Sequence, residues 1–513
     1  MAVPSRCAAE RHRFRPSTCL QVCSILSTSG CRTAEAVRMT ERFISAVGGY
    51  LPMLRLDRAA ASKALRFAGL GGRGGGRRAI AGWDEDALTL AVEAARRLGG
   101  DRPIDRFAFA STSAPFYERA HAAIALEALG WPATTRSNDV AGSRRCAVSA
   151  LLDALLGNGE VVVAAGERRP ARAGSPQHLA FGDGGAAARV GDAGGARLIG
   201  HASLSHDLVD MYASREMPTP YAYEERFVRE TAAREVIAPT IRAACAAAGI
   251  EPSAVIHAAV HEPLGGMWRD IASLTGMTAT NHAGALDAQA GDLGAAHILY
   301  AMALAFAASS PGDIVLVAGF GSGCDALVFE ITGEVTGAAD AVAMLGSGLV
   351  TQDYVRFLSL TGEIDLDWGV RSETEQKAQG TVLERHGRDT IGFIGGRDES
   401  GNVQFPKSRI PVRPGAAGPE AMTDVRLADC PATLVSVTAD RLNYTPDPPF
   451  WFGLVQFDNG ARLPMELVDA DAAGFTVGDA LRMRLRIKSI DRRRGFRTYF
   501  WKAAPAARPL LEN

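Results

Sequence analysis

The sequence has little that would place it in a membrane, on a nucleic acid or in an oxidising compartment. No apolar run reaches the roughly 18 residues that span a bilayer. The longest, around residues 298–308, contains Tyr300 and reads as a buried core helix. Charge of one sign is not in surplus either: 55 Lys and Arg face 57 Asp and Glu, a net charge of −2. That balance argues against a nucleic-acid partner, which calls for a basic surface. The local run Arg492-Arg493-Arg494 reads as solvated loop charge. Paired cysteines are also missing. Of eight cysteines, Cys7, Cys19, Cys23 and Cys31 crowd into the first 32 residues, while Cys146, Cys245, Cys324 and Cys430 are single and scattered. This suits a soluble protein of the reducing cytoplasm and supplies no disulfide framework.

What is present is enough chain, 513 residues, for two or three cores. The first 38 residues carry six arginines and two glutamates without sustained periodicity, and are expected to be a disordered or mis-called N-terminal extension. From Met39 to about Val335 helix and strand patterns alternate, and they do so twice. Each half has a helix, a strand and a loop, Ser111-Thr112-Ser113 or His261-Glu262-Pro263. About 30 residues later each starts a helix, near Cys146 or Asp292, and closes on a buried strand and a glycine cluster. A duplicated α/β unit predicts parallel sheets covered by helices, with the halves at 39–205 and 206–335. A partly helical bridge follows at 336–373. From 374 to 513 strand-like runs (432–437, 451–457, 481–487, 496–501) separated by turns such as Asp458-Asn459-Gly460 predict a small all-β barrel of five strands.

Three places could carry chemistry. Cys146 opens an apolar helix in SNDVAGSRRCAVSALLDALL, next to Arg144 and Arg145. The helix dipole and the two arginines would lower its pKa and favour the nucleophilic thiolate; the alternative is a buried structural cysteine. His261 follows a strand in VIHAAVHEPLGG and could act as a base or polarise a carbonyl, whereas His257 alternates within that strand and reads as core or interface. The loop Gly319-Phe320-Gly321-Ser322-Gly323 could bring backbone N–H groups to an oxyanion, or be a plain turn. Gly182-Asp183-Gly184-Gly185 reads as a structural hairpin. His282, His297 and Cys324 lack metal-ligand spacing, and no metal is assigned.

The stretches FAFASTSAPFYERAHAAIALEALG, the Cys146 helix, VIHAAVHEP, GDLGAAHILYAMAL and PGDIVLVAGFGSGCDALVFE resemble the thiolase superfamily, in the branch of the 3-hydroxy-3-methylglutaryl-CoA synthases. The resemblance implies two five-stranded sheet layers interleaved with helices, and a dimer, hence a homodimer here, with a separate thiolase as a second candidate partner. It implies an acyl-CoA substrate, a carbon–carbon bond made or broken through an acyl-Cys146 intermediate, and no cofactor beyond that thioester. Carried over by position, Cys146 matches the acylated cysteine and His261 the active-site histidine. Gly321, Ser322 and Gly323 match the loop near the acyl oxygen, so that amides there and at Cys146 would hold the oxyanion. Thr112 stands where the family has its acid/base glutamate, and Asp292 where it has an asparagine. A threonine does not deliver that proton, which leaves Glu118 or Asp292 as substitutes. The segments VQFPKSRIPV, DRLNYTPDPPFWFGLVQFDNGARLPMELVD and RRGFRTYFWKAAP resemble the OB-fold domain that accompanies thiolase-like proteins. The zinc ribbon that usually precedes it has no cysteine here, so its site is expected to be lost.

Overall fold

The computed structural model describes residues 41–70, 75–100, 103–369, 380–416 and 418–511. The expected N-terminal extension over 1–38 lies outside them. Ten strands build the main sheet. They are β1 (Phe43–Tyr50), β2 (Arg106–Ala110), β3 (Arg136–Val140), β4 (Val161–Glu167), β5 (Gly184–Gly191), β6 (Ala196–Ser205), β7 (Val255–Val260), β8 (Thr280–Asn281), β9 (Ile314–Phe320) and β10 (Gly323–Ile331). The order is β8-β7-β9-β10-β6-β1-β5-β4-β2-β3.

This order is the duplication made visible. In the first half β2 runs parallel to β3 and β4, while β5 is antiparallel to both β4 and β1. In the second half β7 runs parallel to β8 and β9, while β10 is antiparallel to both β9 and β6. Each five-stranded half is therefore mixed, not wholly parallel. The reason is connection length: β9 turns into β10 through Gly321 and Ser322, too short for a crossover, so the pair is antiparallel. The two halves meet edge to edge through only two residue pairs, Phe43 with Arg197 and Ile44 with Ala196. Because β6 pairs with β10, the boundary expected at residue 205 moves upstream, to between Gly191 and Ala196.

The apolar patterns land as helices α1 (Ala87–Ala95), α2 (His121–Leu129), α3 (Cys146–Leu156), α4 (Ala238–Ala247), α5 (His282–Ala290) and α6 (Ala295–Ala308). Alanine-rich α6, apolar but for His297 and the Tyr300 hydroxyl, is buried from Ala295 through Phe306 and has no solvated face to define. It packs against α3, its counterpart in the other half. Helix α1 lies so close to the sheet that a Cβ at Gly166 would sit 1.9 Å from the Ala87 carbonyl oxygen. No helix among the described residues is long and apolar enough to cross a membrane.

The bridge contains helices Ala338–Leu345 and Tyr354–Thr361; residues 370–373 of it are outside the described set. Past it lie a three-stranded unit (Ile394–Arg397, Val403–Gln404, Thr423–Arg426) and a five-stranded sheet. The latter comprises β11 (Ala432–Asp440), β12 (Phe450–Phe457), β13 (Arg462–Glu466), β14 (Ala480–Asp491) and β15 (Phe496–Pro505), in the order β13-β12-β11-β14-β15. One isolated bridge, Leu467 with Ala503, links its two ends. The five strands expected of the barrel are present as a small sheet; that bridge apart, no ladder closes it among the described residues.

This sheet docks on the core through buried charge. Glu93 of α1 accepts from Arg484 Nη1 at 2.5 Å, from the Leu485 N–H at 3.1 Å and from Arg96 Nη1 at 3.1 Å. Arg486 reaches Glu85 at 2.6 Å and both oxygens of Asp469 at 2.9 Å, and Lys502 reaches Asp84 at 2.9 Å. Burial alone would raise the Glu93 carboxyl, but Arg96 and Arg484 overcome it and hold it down to about 2. Its usual value is 4.5, so its stabilisation is complete above that pH and is lost as pH falls from about 4.5 to about 2. Urea unfolding at several pH values should therefore show Glu93→Gln less stable than the parent at pH 6 and converging on it below pH 3. A gap that stays constant through that window contradicts the account.

Candidate functional site

The duplication aims both repeats at one place. Cys146 is the first residue of α3; Thr112 follows β2; Glu167 ends β4; His261 follows β7; Asp292 to Gly294 lead into α6; and the Gly321 turn follows β9. All six lie at strand ends or helix starts, where side chains from separate segments converge.

Cys146 is 4% exposed. Burial and then the Glu167 charge push its thiol well up, while the amides of Ala147 and Ser111 pull the other way. The expectation of a lowered pKa is thus reversed, because the neighbouring arginines turn elsewhere. Arg144 pairs with Asp210 and with Asp292 Oδ2 at 3.2 Å, and lies 3.3 Å from His261 Nε2. Arg145 reaches Asp325 at 3.5 Å and the Ser322 carbonyl at 3.3 Å.

His261 is buried, with its N–H donating to the Ala318 carbonyl at 3.0 Å. Asn281 braces the end of the preceding strand: its side chain accepts from the Val260 N–H and donates to the Val260 carbonyl, both at 3.0 Å. Burial and the Arg144 guanidinium hold the imidazole well below its usual value, so it is neutral near pH 7. Arg144 donating to Nε2 leaves the ring proton on Nδ1. His297 lies behind it, ring centroids 6.1 Å apart.

Asp292 is clamped. Burial would raise its carboxyl, but Arg169 at 3.0 Å and Arg144 at 3.2 Å outweigh that and hold it well below the carboxylate range. Its Oδ1 accepts from the Gly294 N–H at 2.8 Å. A carboxylate held ionised by two arginines is a poor proton donor, so Asp292 orients Arg144 and Arg169 instead of supplying a proton. Glu118 is exposed, on the loop beyond Thr112. The expected oxyanion amides are also committed: Gly321 N–H donates to the Gly323 carbonyl at 2.9 Å and Cys146 N–H to the Ser143 carbonyl at 3.0 Å. Ser322, at φ 48°, forms the turn between them.

The carboxylate whose charge helps to raise the Cys146 thiol is Glu167, fully buried at the end of β4. Its Oε1 accepts from the Thr112 N–H at 2.8 Å, the Thr112 hydroxyl at 2.9 Å and the Ala295 N–H at 3.2 Å. Its Oε2 accepts from the hydroxyls of Ser113 and, at 3.5 Å, Ser111. Thr112 thus holds a carboxylate in the loop where the family resemblance puts one. Sequence reasoning missed Glu167, since GERRP has no motif; the one available signal was a lone acid closing an otherwise apolar buried strand.

Gly294 permits this approach: at φ 56°, a Cβ there would lie 2.9 Å from both Glu167 Cγ and Arg169 Nε. Gly294→Ala is expected to destabilise the fold by about 2–4 kcal/mol, strain plus contact. Gly266→Ala, at φ 82° with nothing within 4 Å, bears strain alone and should cost less. Equal losses in chemical denaturation would show that the contact is harmless.

No protein-family profile matches the chain. It is 26% identical over 313 residues to a hydroxymethylglutaryl-CoA synthase of Aeropyrum pernix, covering 58% of this chain and 84% of that protein. It is 27% identical over 307 residues to one of Pyrobaculum neutrophilum, covering 56% and 87%. In fold it is similar to an HMG-CoA synthase solved with CoA, with a TM-score of 0.54 and 15% identity over 66% of this chain and 95% of that one. It is also similar to MvaS in complex with 3-hydroxy-3-methylglutaryl coenzyme A, with a TM-score of 0.52 and 18% identity over 62% and 92%. The chain is thus similar in sequence to hydroxymethylglutaryl-CoA synthases and shares the fold of the thiolase-like condensing enzymes.

Proposed function

We propose that this chain takes an acyl group from a coenzyme A thioester onto Cys146 and then makes or breaks a carbon–carbon bond with a second acyl thioester. The observation that carries this is the position of Cys146: a buried thiol at a helix start, beside Arg144, which reaches His261 and Asp292 of the second repeat. Neutral His261, proton on Nδ1, is a donor for a carbonyl oxygen, and Arg144 beside it favours charge developing there. Since Gly321 and Cys146 amides already have partners, the oxyanion role falls to this imidazole and guanidinium unless the turn rearranges on binding. Coenzyme A enters as part of the substrate. Intact-mass analysis after mixing with a panel of acyl-CoA thioesters should show an acyl adduct that maps to the Cys146 peptide. No adduct with any thioester, at neutral or alkaline pH, sinks the reading and leaves a non-catalytic scaffold.

Synthesis of 3-hydroxy-3-methylglutaryl-CoA itself is a second reading, favoured by the names of the relatives. Acetyl-CoA with acetoacetyl-CoA would yield that product only if a carboxylate replaces the one missing at Thr112. A homodimer is proposed from edge strand β3, whose residues Arg136 to Asp139 are exposed along one side of the ten-stranded sheet. Sedimentation should give about twice the 54.1 kDa chain mass; a monomer at micromolar concentration rules it out. The unpaired Cys146, Cys245, Cys324 and Cys430 fit a reducing, cytoplasmic location.

A further inference from the structure

Where the C-terminal sheet meets the core, the two do not close on each other completely. A cavity of about 650 Å³ lies between the Trp83 loop, the segment Leu349 to Thr351, strands β12 and β13 and the loop that follows β13. That volume suits a small organic molecule, and junctions between packed units are common binding places. None of Cys146, Thr112, His261, Asp292 and Gly321 lines it. Much of the wall is apolar, with Met53, Leu54, Ile80, Phe450 and Leu467. The indole N–H groups of Trp83 and Trp451 and the hydroxyl of Thr445 make no hydrogen bond to the described residues. All three residues line the cavity, and none of these groups is sealed inside the protein. Thr445 is itself only 7% exposed, so its hydroxyl opens onto the cavity.

The charges of the wall, by contrast, are paired. Lys502 bonds Asp84 and Glu466, each at 2.9 Å, and its ammonium lies 4.5 Å from the Trp83 ring centroid. Arg356 holds both oxygens of Asp447, at 2.9 and 2.7 Å. Arg486, behind the wall, holds Glu85 and Asp469. Arg441, exposed on the rim, is the one lining cation without a carboxylate partner among the described residues, and exposed Asp471 offsets it. An anion inside would meet carboxylates and no free cation, whereas indole N–H groups donate and so call for acceptor atoms. We propose that this cavity is a second binding site, separate from Cys146, for an uncharged, largely apolar molecule that carries carbonyl or ether oxygens. The phosphates of coenzyme A have the wrong sign for it, so it is not the thioester entrance. The site does not depend on the acyl-transfer reading.

Nile red tests this: it is an uncharged, flat dye with a carbonyl and a ring oxygen, and its emission moves to shorter wavelength in apolar surroundings. Titrated with the full chain it should bind saturably, one dye per chain, with a Kd on the order of 10 µM. Thr445→Val keeps the shape of the side chain and removes the hydroxyl, and should weaken binding about 3- to 10-fold. Ala473→Trp, on an exposed turn at the rim, obstructs the mouth and should weaken it by about 10-fold or more with an unchanged melting temperature. Cys146→Ala should bind the dye as the parent does. The anionic dye 1-anilinonaphthalene-8-sulfonate should not displace it. No saturable binding by the parent, or parental affinity in Thr445→Val or Ala473→Trp, overturns the site. Displacement by the anionic dye overturns its preference for uncharged ligands, and loss of binding in Cys146→Ala overturns its separation from the acyl-transfer site.

Discussion

Cys146→Ala and Cys146→Ser should each abolish the acyl adduct and lower turnover by on the order of 10⁴-fold, with the thioester that labels the parent protein. The serine variant is the sharper of the two. It keeps a donor of nearly the same size in the same 4%-exposed position, but a hydroxyl is a far weaker nucleophile than a thiol and would need a stronger base. Because the thiol is raised by burial and by Glu167, the parent protein itself should react slowly with alkylating agents at neutral pH and faster as pH rises beyond the ordinary thiol range. Melting temperatures of both variants should stay near that of the parent, as neither removes a packed side chain of any size. A variant within tenfold of parental turnover would show that Cys146 is a structural cysteine.

Arg486→Met is expected to cost about 3–5 kcal/mol and to loosen the C-terminal sheet from the core. The Arg486 guanidinium is 1% exposed and lies among Glu85, Asp469 and the Tyr50 hydroxyl, with Asp84 3.9 Å away. Burial would depress its proton affinity, but Asp469 and Glu85 more than restore it. Methionine fills much of the same volume, so the loss measures stranded carboxylates more than a cavity. Arg493→Met, on the exposed turn between β14 and β15, is the control. Urea unfolding of the two variants decides the matter: a difference below about 1 kcal/mol would mean that water or a shift of Arg508, which lies 3.8 Å from Asp469, makes good the lost charge.

These two expectations come from different depths of the molecule, and the sequence showed them unequally. The Cys146 helix was legible to the residue, Cys146 to Leu156, and so was the strand Arg106–Ala110. Apolar spacing and flanking turns act over ten residues or fewer, and here nothing distant opposed them. The repeat was legible for the same reason, since both halves carry the same local patterns in the same order. The ionic seam was not. Glu93 and Arg484 are 391 residues apart, and each alone looks like an ordinary charge on an amphipathic element. Its strand period did place β14, but not what β14 would meet.

At the site the local reading of charge was misleading. Arg144 and Arg145 adjoin Cys146 in the chain, yet their side chains leave it for Asp210, Asp292 and Asp325. Glu167, 21 residues further along the chain, is the charge that acts on the sulfur. By itself the sequence determined the order of strands and helices, the duplication and the position of a cysteine at a helix start, since periodicity and chain direction settle these locally. Only the tertiary structure decided which carboxylate's charge raises that thiol, that the thiol rests protonated and that Asp292 is held ionised. Such properties follow from burial and from charges close in space, and separation along the chain says little about either.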